Sequence, residues 1–152
     1  MISLRYHKKK KIRSNREKNE AKWRLRDAFR QVAQQLGDSA ERHVHEAFDN
    51  AKSRGVLPDW ITEWERTDKN SKMDHLGVDI IFLTDVGPIF VQVKSSKPNA
   101  RQFLFEHAED KTIVVIVNIL HSYEAVYNMI IKELVEERQK RRSPRRISNH
   151  KI

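Results

Sequence analysis

The chain has 152 residues and 18.0 kDa, with 30 Lys and Arg against 21 Asp and Glu, a formal net charge of +9 and no cysteine. That length supports one domain with its own core and leaves no room for a multidomain machine. Disulfide scaffolds, thiolate zinc sites and cysteine nucleophiles are excluded; no apolar run approaches the ~18 residues of a membrane span, and no apolar segment follows the basic N-terminal stretch as in a secretory signal, so a cytoplasmic protein without membrane contact is expected.

Over residues 15–36, Leu25, Ala28, Phe29, Val32 and Leu36 recur at helical spacing, which predicts an amphipathic helix that ends at Gly37. Asp38 then reads as the N-cap of a second helix, with Ala40, Val44, Ala47, Phe48 and Ala51 as its apolar stripe and Gly55 as its stop. Residues 60–67 alternate, with Trp60, Thr62 and Trp64 on one face and Ile61, Glu63 and Glu65 on the other, which is strand periodicity. The polar stretch 68–73 reads as a loop. Residues 78–83 and 88–95 are rich in β-branched side chains and are joined by Thr84-Asp85-Val86-Gly87, predicting an antiparallel hairpin.

A short helix is expected over 98–109 and a nearly continuous apolar strand, central and buried, over 112–118. The last element is a long helix, Tyr123–Arg142, with Val126, Ile130, Ile131, Leu134 and Val135 as its stripe, running out at Ser143-Pro144. Helix, helix, three strands, helix, strand, helix predicts an α/β fold whose central sheet is mixed, with about four strands flanked by helices and an additional N-terminal helix.

Charge is unevenly placed along this order. Residues 1–26 carry 11 basic and 2 acidic side chains, residues 138–152 carry 7 basic and none acidic, and the remainder is left at −7. An acidic body thus carries two basic arms, 1–16 and 143–152, whose charge would release counterions from a phosphate backbone. Lys8, Lys9, Lys10, Lys11, Arg13 and Arg16 at one end, and Arg141, Arg142, Arg145 and Arg146 at the other, are the expected nucleic-acid contacts, the alternative being solvated tails. Trp23, Trp60 and Trp64 have faces on which bases can stack, but packing is the commoner use.

Polar groups interrupt the apolar hairpin. Period 2 puts Phe90, Gln92 and Lys94 on one face and Val91 and Val93 on the other, so an amide and an ammonium line up beside a sheet core, and Asp79 faces them across the hairpin. An acid at the start of one strand, then a polar ligand and a lysine two residues apart on the next, resembles the PD-(D/E)XK nuclease superfamily, here reading Asp79, Gln92, Lys94. Glutamine in place of the usual carboxylate resembles the variant of Mrr-type restriction endonucleases, and Glu41 in Gly37-Asp38-Ser39-Ala40-Glu41 stands where the family's preceding helix often supplies a glutamate. The resemblance covers about residues 37–120 and implies a restriction-endonuclease-like core within a single domain, 17–142.

By that resemblance the catalytic set is Glu41, Asp79, Gln92 and Lys94. Asp79, Glu41, the Gln92 side-chain oxygen and the Val93 carbonyl would hold Mg²⁺ or Mn²⁺, which polarises a scissile phosphate and generates hydroxide. Lys94 would place the attacking water and offset charge developing on the phosphoryl oxygens. His75 and Ser96 are candidates for contacts to phosphate or water around that set. The implied function is a metal-dependent nuclease acting on nucleic acid, DNA ahead of RNA, and two-strand cleavage would call for a homodimer, with the final helix as one interface.

Plainer uses exist for each residue. Asp38-Ser39-Ala40-Glu41 satisfies a capping box, Lys94 can emerge from a strand end into solvent, and Asp79 can accept from backbone donors. Glutamine at position 92 also raises an alternative function: a catalytically inactive nucleic-acid-binding or assembly module with a nuclease-like fold.

Overall fold

The structure, a computed structural model, describes residues 3–143, with side chains from residue 15 onward. The chain divides into two compact units, Met1–Leu36 and Gly37–Ile152. Its first element is a single helix α1, Ser3–Ser53. The expected stop at Gly37 and restart at Asp38 are therefore corrected: the glycine marks the boundary between units without ending the helix. Glycine inside a helix costs only about 1 kcal/mol against alanine, and the Asp38 carboxylate bonds the Lys69 ammonium instead of capping backbone N–H groups. The real stop is at Gly55, whose φ of 69° closes a Schellman turn, with Val56 N–H donating to the Ala51 carbonyl and Gly55 N–H to that of Lys52.

Strands β1 (Ile61–Arg66), β2 (Ile80–Thr84), β3 (Gly87–Lys94) and β4 (Ile113–Ile116) form one mixed sheet in the order β1-β2-β3-β4. The first three are an antiparallel meander, and β4 joins parallel to β3, with Val93 paired to Val115. Helices α2 (Lys72–His75), α3 (Lys97–Glu106) and α4 (Tyr123–Arg142) complete the fold, so the expected α/β class, mixed four-stranded sheet and N-terminal helix are all present. The loop expected over 68–73 contains the start of α2, which Ser71 caps through Asp74 N–H.

Two details of the sheet differ from the sequence pattern. A bulge between Ile61 and Glu63 breaks the strict alternation of β1, so Ile61 is buried while Trp64 also packs inward, its ring 5.9 Å from that of Phe48. Strand β4 lies at the edge of the sheet rather than its centre. Its run of Ile and Val is explained by helices α3 and α4, both of which contact it.

The core fills one face of this sheet. Ala40, Val44, Ala47 and Phe48 of α1 and Val126, Ile130 and Leu134 of α4 pack against Ile80, Phe82, Ile89, Val91, Val93 and Val115. These are the stripes expected from the sequence, and Phe48 sits at their centre with its ring 4.7 Å from Phe82 and 5.3 Å from Tyr127. No helix among the described residues is long and apolar enough to cross a membrane.

Candidate functional site

Because Ile80 pairs with Val91 and Ile81 with Phe90, the residue before β2 stands opposite Gln92 on the face away from the core. That residue is Asp79. Its N–H still donates to the Val91 carbonyl, 3.0 Å, but its carboxylate turns toward β3 and continues the ladder by side chain: Oδ2 accepts from Val93 N–H, 2.7 Å, and from Gln92 Nε2, 2.6 Å. Alternation then puts the Val93 carbonyl on the same side of the strand as its N–H, toward Asp79. Asp79 and Gln92 are only 7% and 4% exposed, the two buried polar side chains of the described chain.

Burial raises the Asp79 carboxyl from the ordinary 3.8 to about 7. Loss of water is the largest cause; the Val93 N–H works against it, Glu41 and Asp74 raise it further by repulsion, and Lys94 lowers it. Glu41, Asp74 and Lys94 are therefore within electrostatic reach of Asp79. Of the four residues expected from the sequence, Asp79 and Gln92 are in direct contact, and Glu41 and Lys94 act on Asp79 through their charge.

Each sits in a definite setting. Glu41 is no capping residue, since α1 passes straight through it; its Oε2 accepts from Arg66 Nη2 at the end of β1, 3.1 Å away. Lys94 is the last residue of β3, with its ammonium 5.0 Å from the centre of the Phe103 ring of α3. Gln92 presents its nitrogen to Asp79, leaving Oε1 buried without a hydrogen-bond partner.

Gly77 permits this packing. It has φ 77°, and a Cβ there would lie 2.4 Å from the Phe103 ring and 3.2 Å from Gln92 Oε1. Asp74, Arg66 and Phe103 were not visible as site residues in the sequence; the one signal was the glycine two residues before Asp79. Ser96 is accounted for as the N-cap of α3, accepting from Asn99 N–H. His75 is exposed at the end of α2.

The donor set suits a hard divalent cation. Asp79 Oδ1 has no donor among the described residues, Gln92 Oε1 is orphaned, and burial strips the Asp79 carboxylate of the water that would otherwise solvate its charge. Among the described residues no three His, Asp or Glu side chains converge as a ready metal group. The set here would be two carboxylates, Asp79 and Glu41, completed by amide and peptide oxygens, and it needs the Gln92 amide turned so that Oε1 replaces Nε2 beside Asp79.

Of the expected nucleic-acid contacts, Arg16 pairs with Glu20 at 3.2 Å, Arg141 with Glu137 at 2.9 Å while also donating to the Pro88 carbonyl, and Arg142 is exposed. The side chains of Lys8, Lys9, Lys10, Lys11 and Arg13, and the whole of Arg145 and Arg146, lie outside the described residues. Compared with family models, curated proteins and solved structures, the chain matches none. The chemistry of the site therefore rests on its own residues.

Proposed function

We propose that the chain is a metal-dependent nuclease of the PD-(D/E)XK type with a restriction-endonuclease-like core, hydrolysing phosphodiester bonds in nucleic acid, with DNA as the first substrate to test. The observation that carries this reading is the buried carboxylate of Asp79, tied to Gln92 and the Val93 N–H, with Lys94 two residues along the same strand and Glu41 within electrostatic reach. Asp79, Glu41, Gln92 Oε1 and the Val93 carbonyl would hold Mg²⁺ or Mn²⁺. A bound divalent ion supplies polarisation of the phosphate and a more acidic water.

The residues do the rest. Asp79 Oδ2 is held by the Val93 N–H, a backbone donor that remains when the Gln92 amide turns, so the carboxylate is positioned before a cation binds. Lys94, with the Phe103 ring beside it, offers a positive charge whose water is partly displaced, and so acts more strongly on a phosphoryl oxygen or an attacking water. The net −7 of residues 27–137 repels phosphate, which leaves the basic segments to bring the substrate in.

A second reading is favoured by one contact. The Arg66 guanidinium already neutralises Glu41, and a glutamine stands at the second strand position, so a binding or assembly module without catalysis fits the same fold. The two separate in one experiment: purified protein with circular, linear, single-stranded and branched DNA and with RNA, in Mg²⁺, Mn²⁺ or EDTA, beside Asp79→Asn and Lys94→Ala. The nuclease reading expects cleavage that needs metal and is lost in both variants. Binding without cleavage in either metal, unchanged in Asp79→Asn, transfers the conclusion to the binding module.

A further inference from the structure

The beginning of β3 runs past the beginning of β4. Pairing between them starts at Val91 and Ile113, so residues 87–90 have no strand beside them on that side, and the end of α4 reaches them instead through Arg141. The result is a cleft of about 680 Å³, walled by Pro88 and Phe90 of β3, Lys111 ahead of β4, and Glu137, Lys140 and Arg141 of α4. We infer that this cleft holds one unpaired nucleotide of a nucleic-acid strand, its base against the Phe90 ring and its phosphate between Lys111 and Lys140.

Charge selects the ligand. Three cations meet one carboxylate here, in a chain whose residues 27–137 sum to −7. The carboxylate, Glu137, is already taken by Arg141 Nε at 2.9 Å, while Arg141 Nη1 donates to the Pro88 carbonyl at 2.8 Å. Lys111 and Lys140 are exposed and make no ion pair among the described residues, so their charge is free for an anion. Cations in the last turn of a helix are favoured by its dipole. That accounts for Lys140 and Arg141 but not for Lys111, which arrives from a different element and faces the same space.

The walls favour a nucleotide over an acidic peptide. A peptide laid along a sheet edge binds by extending the ladder, but Pro88 has no N–H to donate and its carbonyl is held by Arg141, which closes that edge. Phe90 instead offers a half-buried ring, and an aromatic face beside cations holds single strands whatever their sequence. A base inside a duplex is stacked on its neighbours, so only an unpaired one can use this ring. Phe90 also shares its face of β3 with Gln92 and Lys94, the latter about 13 Å along the strand. The inference rests on the nucleic-acid part of the proposed function and not on catalysis, and it narrows the substrate to single-stranded or branched molecules.

The test is binding in EDTA. Full-length protein would be titrated, by fluorescence anisotropy, against a fluorescein-labelled single strand of about 15 nucleotides and against its duplex, from about 50 to 200 mM NaCl. The variants are Phe90→Leu, Lys111→Gln and Lys140→Gln, with Lys132→Gln, an exposed lysine of α4 outside the cleft, as the charge control, and circular dichroism to verify each fold. Phe90→Leu should weaken single-strand binding at least about fivefold, without changing its salt slope and without affecting the duplex. Lys111→Gln and Lys140→Gln should each lower the single-strand slope by about 0.7, and Lys132→Gln should leave it unchanged. The two exposed lysines test the cleft even where Phe90→Leu disturbs packing. Single-strand affinity unmoved by a folded Phe90→Leu, an equal loss on the duplex, or slopes that ignore both cleft lysines or fall equally in Lys132→Gln would overturn the inference while nucleic-acid binding stands. Failure to bind either probe would overturn it together with the nucleic-acid reading.

Discussion

The two faces of the sheet are made from the same strands and have opposite characters. On the face toward α1 and α4, Ile80, Phe82, Ile89 and Val91 are completely buried among apolar neighbours. On the other, one residue out of step along the same strands, Asp79 and Gln92 are nearly as buried but hold a carboxylate and an amide with an orphaned oxygen. Apolar burial on the first face offsets the cost of the buried carboxylate and orphaned amide oxygen on the second.

The largest effect expected of that contrast lies on the apolar face. Phe82→Ala should lose about 3–5 kcal/mol in urea unfolding, because Phe82 is fully buried against Phe48 and the cavity would not close. A loss near 1 kcal/mol would mean that the face is loosely packed.

On the polar face the sign reverses. The folded Asp79 carboxyl holds its proton to about pH 7, whereas an unfolded aspartate releases it near 3.8, so the metal-free protein should lose stability as pH rises from about 4 to about 7. Asp79→Asn removes that loss. In EDTA at pH 8 the variant should be more stable than wild type by up to about 4 kcal/mol, and the difference should vanish near pH 4. A variant less stable at pH 8 would show that Asp79 contributes to folding and not to chemistry alone.

Gly77→Ala tests the seal between the faces and α3. With φ at 77° and a Cβ directed at the Phe103 ring, it should cost about 1–3 kcal/mol and displace the ring from beside Lys94. The smallest effect on stability is expected for Lys94→Ala, within about 1 kcal/mol, since it makes no hydrogen bond or ion pair among the described residues and loses the ring contact and its charge attraction to Asp79. On the proposed nuclease function, by contrast, cleavage by this variant should fall at least about 100-fold.

How much of this was legible in the sequence follows from the range of each interaction. Period-2 alternation is local, and it placed Gln92 and Lys94 on one face of β3 and Asp79 opposite them. Helical stripes are equally local, which is why the stripe of α1 over 40–48 and that of α4 match the core, whereas the stripe of α1 over 25–36 stays exposed. The helix runs through Gly37 against its local signals because a cap residue and a glycine express only local preferences, and the Asp38 carboxylate has a partner, Lys69, 31 residues away. The bulge in β1 left no mark in composition. Arg66 reaching Glu41, and the Phe103 ring packing on Gly77, join residues 25 or more apart, and no spacing rule announces them.

The claim on which the account turns is that Asp79 and its neighbours form a cation site on the polar face. Thermal unfolding of wild type and Asp79→Asn at pH 8, titrated with Mn²⁺ from an EDTA-treated state, tests it most directly. The account predicts that Mn²⁺ raises the wild-type midpoint progressively and leaves Asp79→Asn unmoved. Equal shifts in both proteins, or none in wild type up to millimolar Mn²⁺, would contradict it.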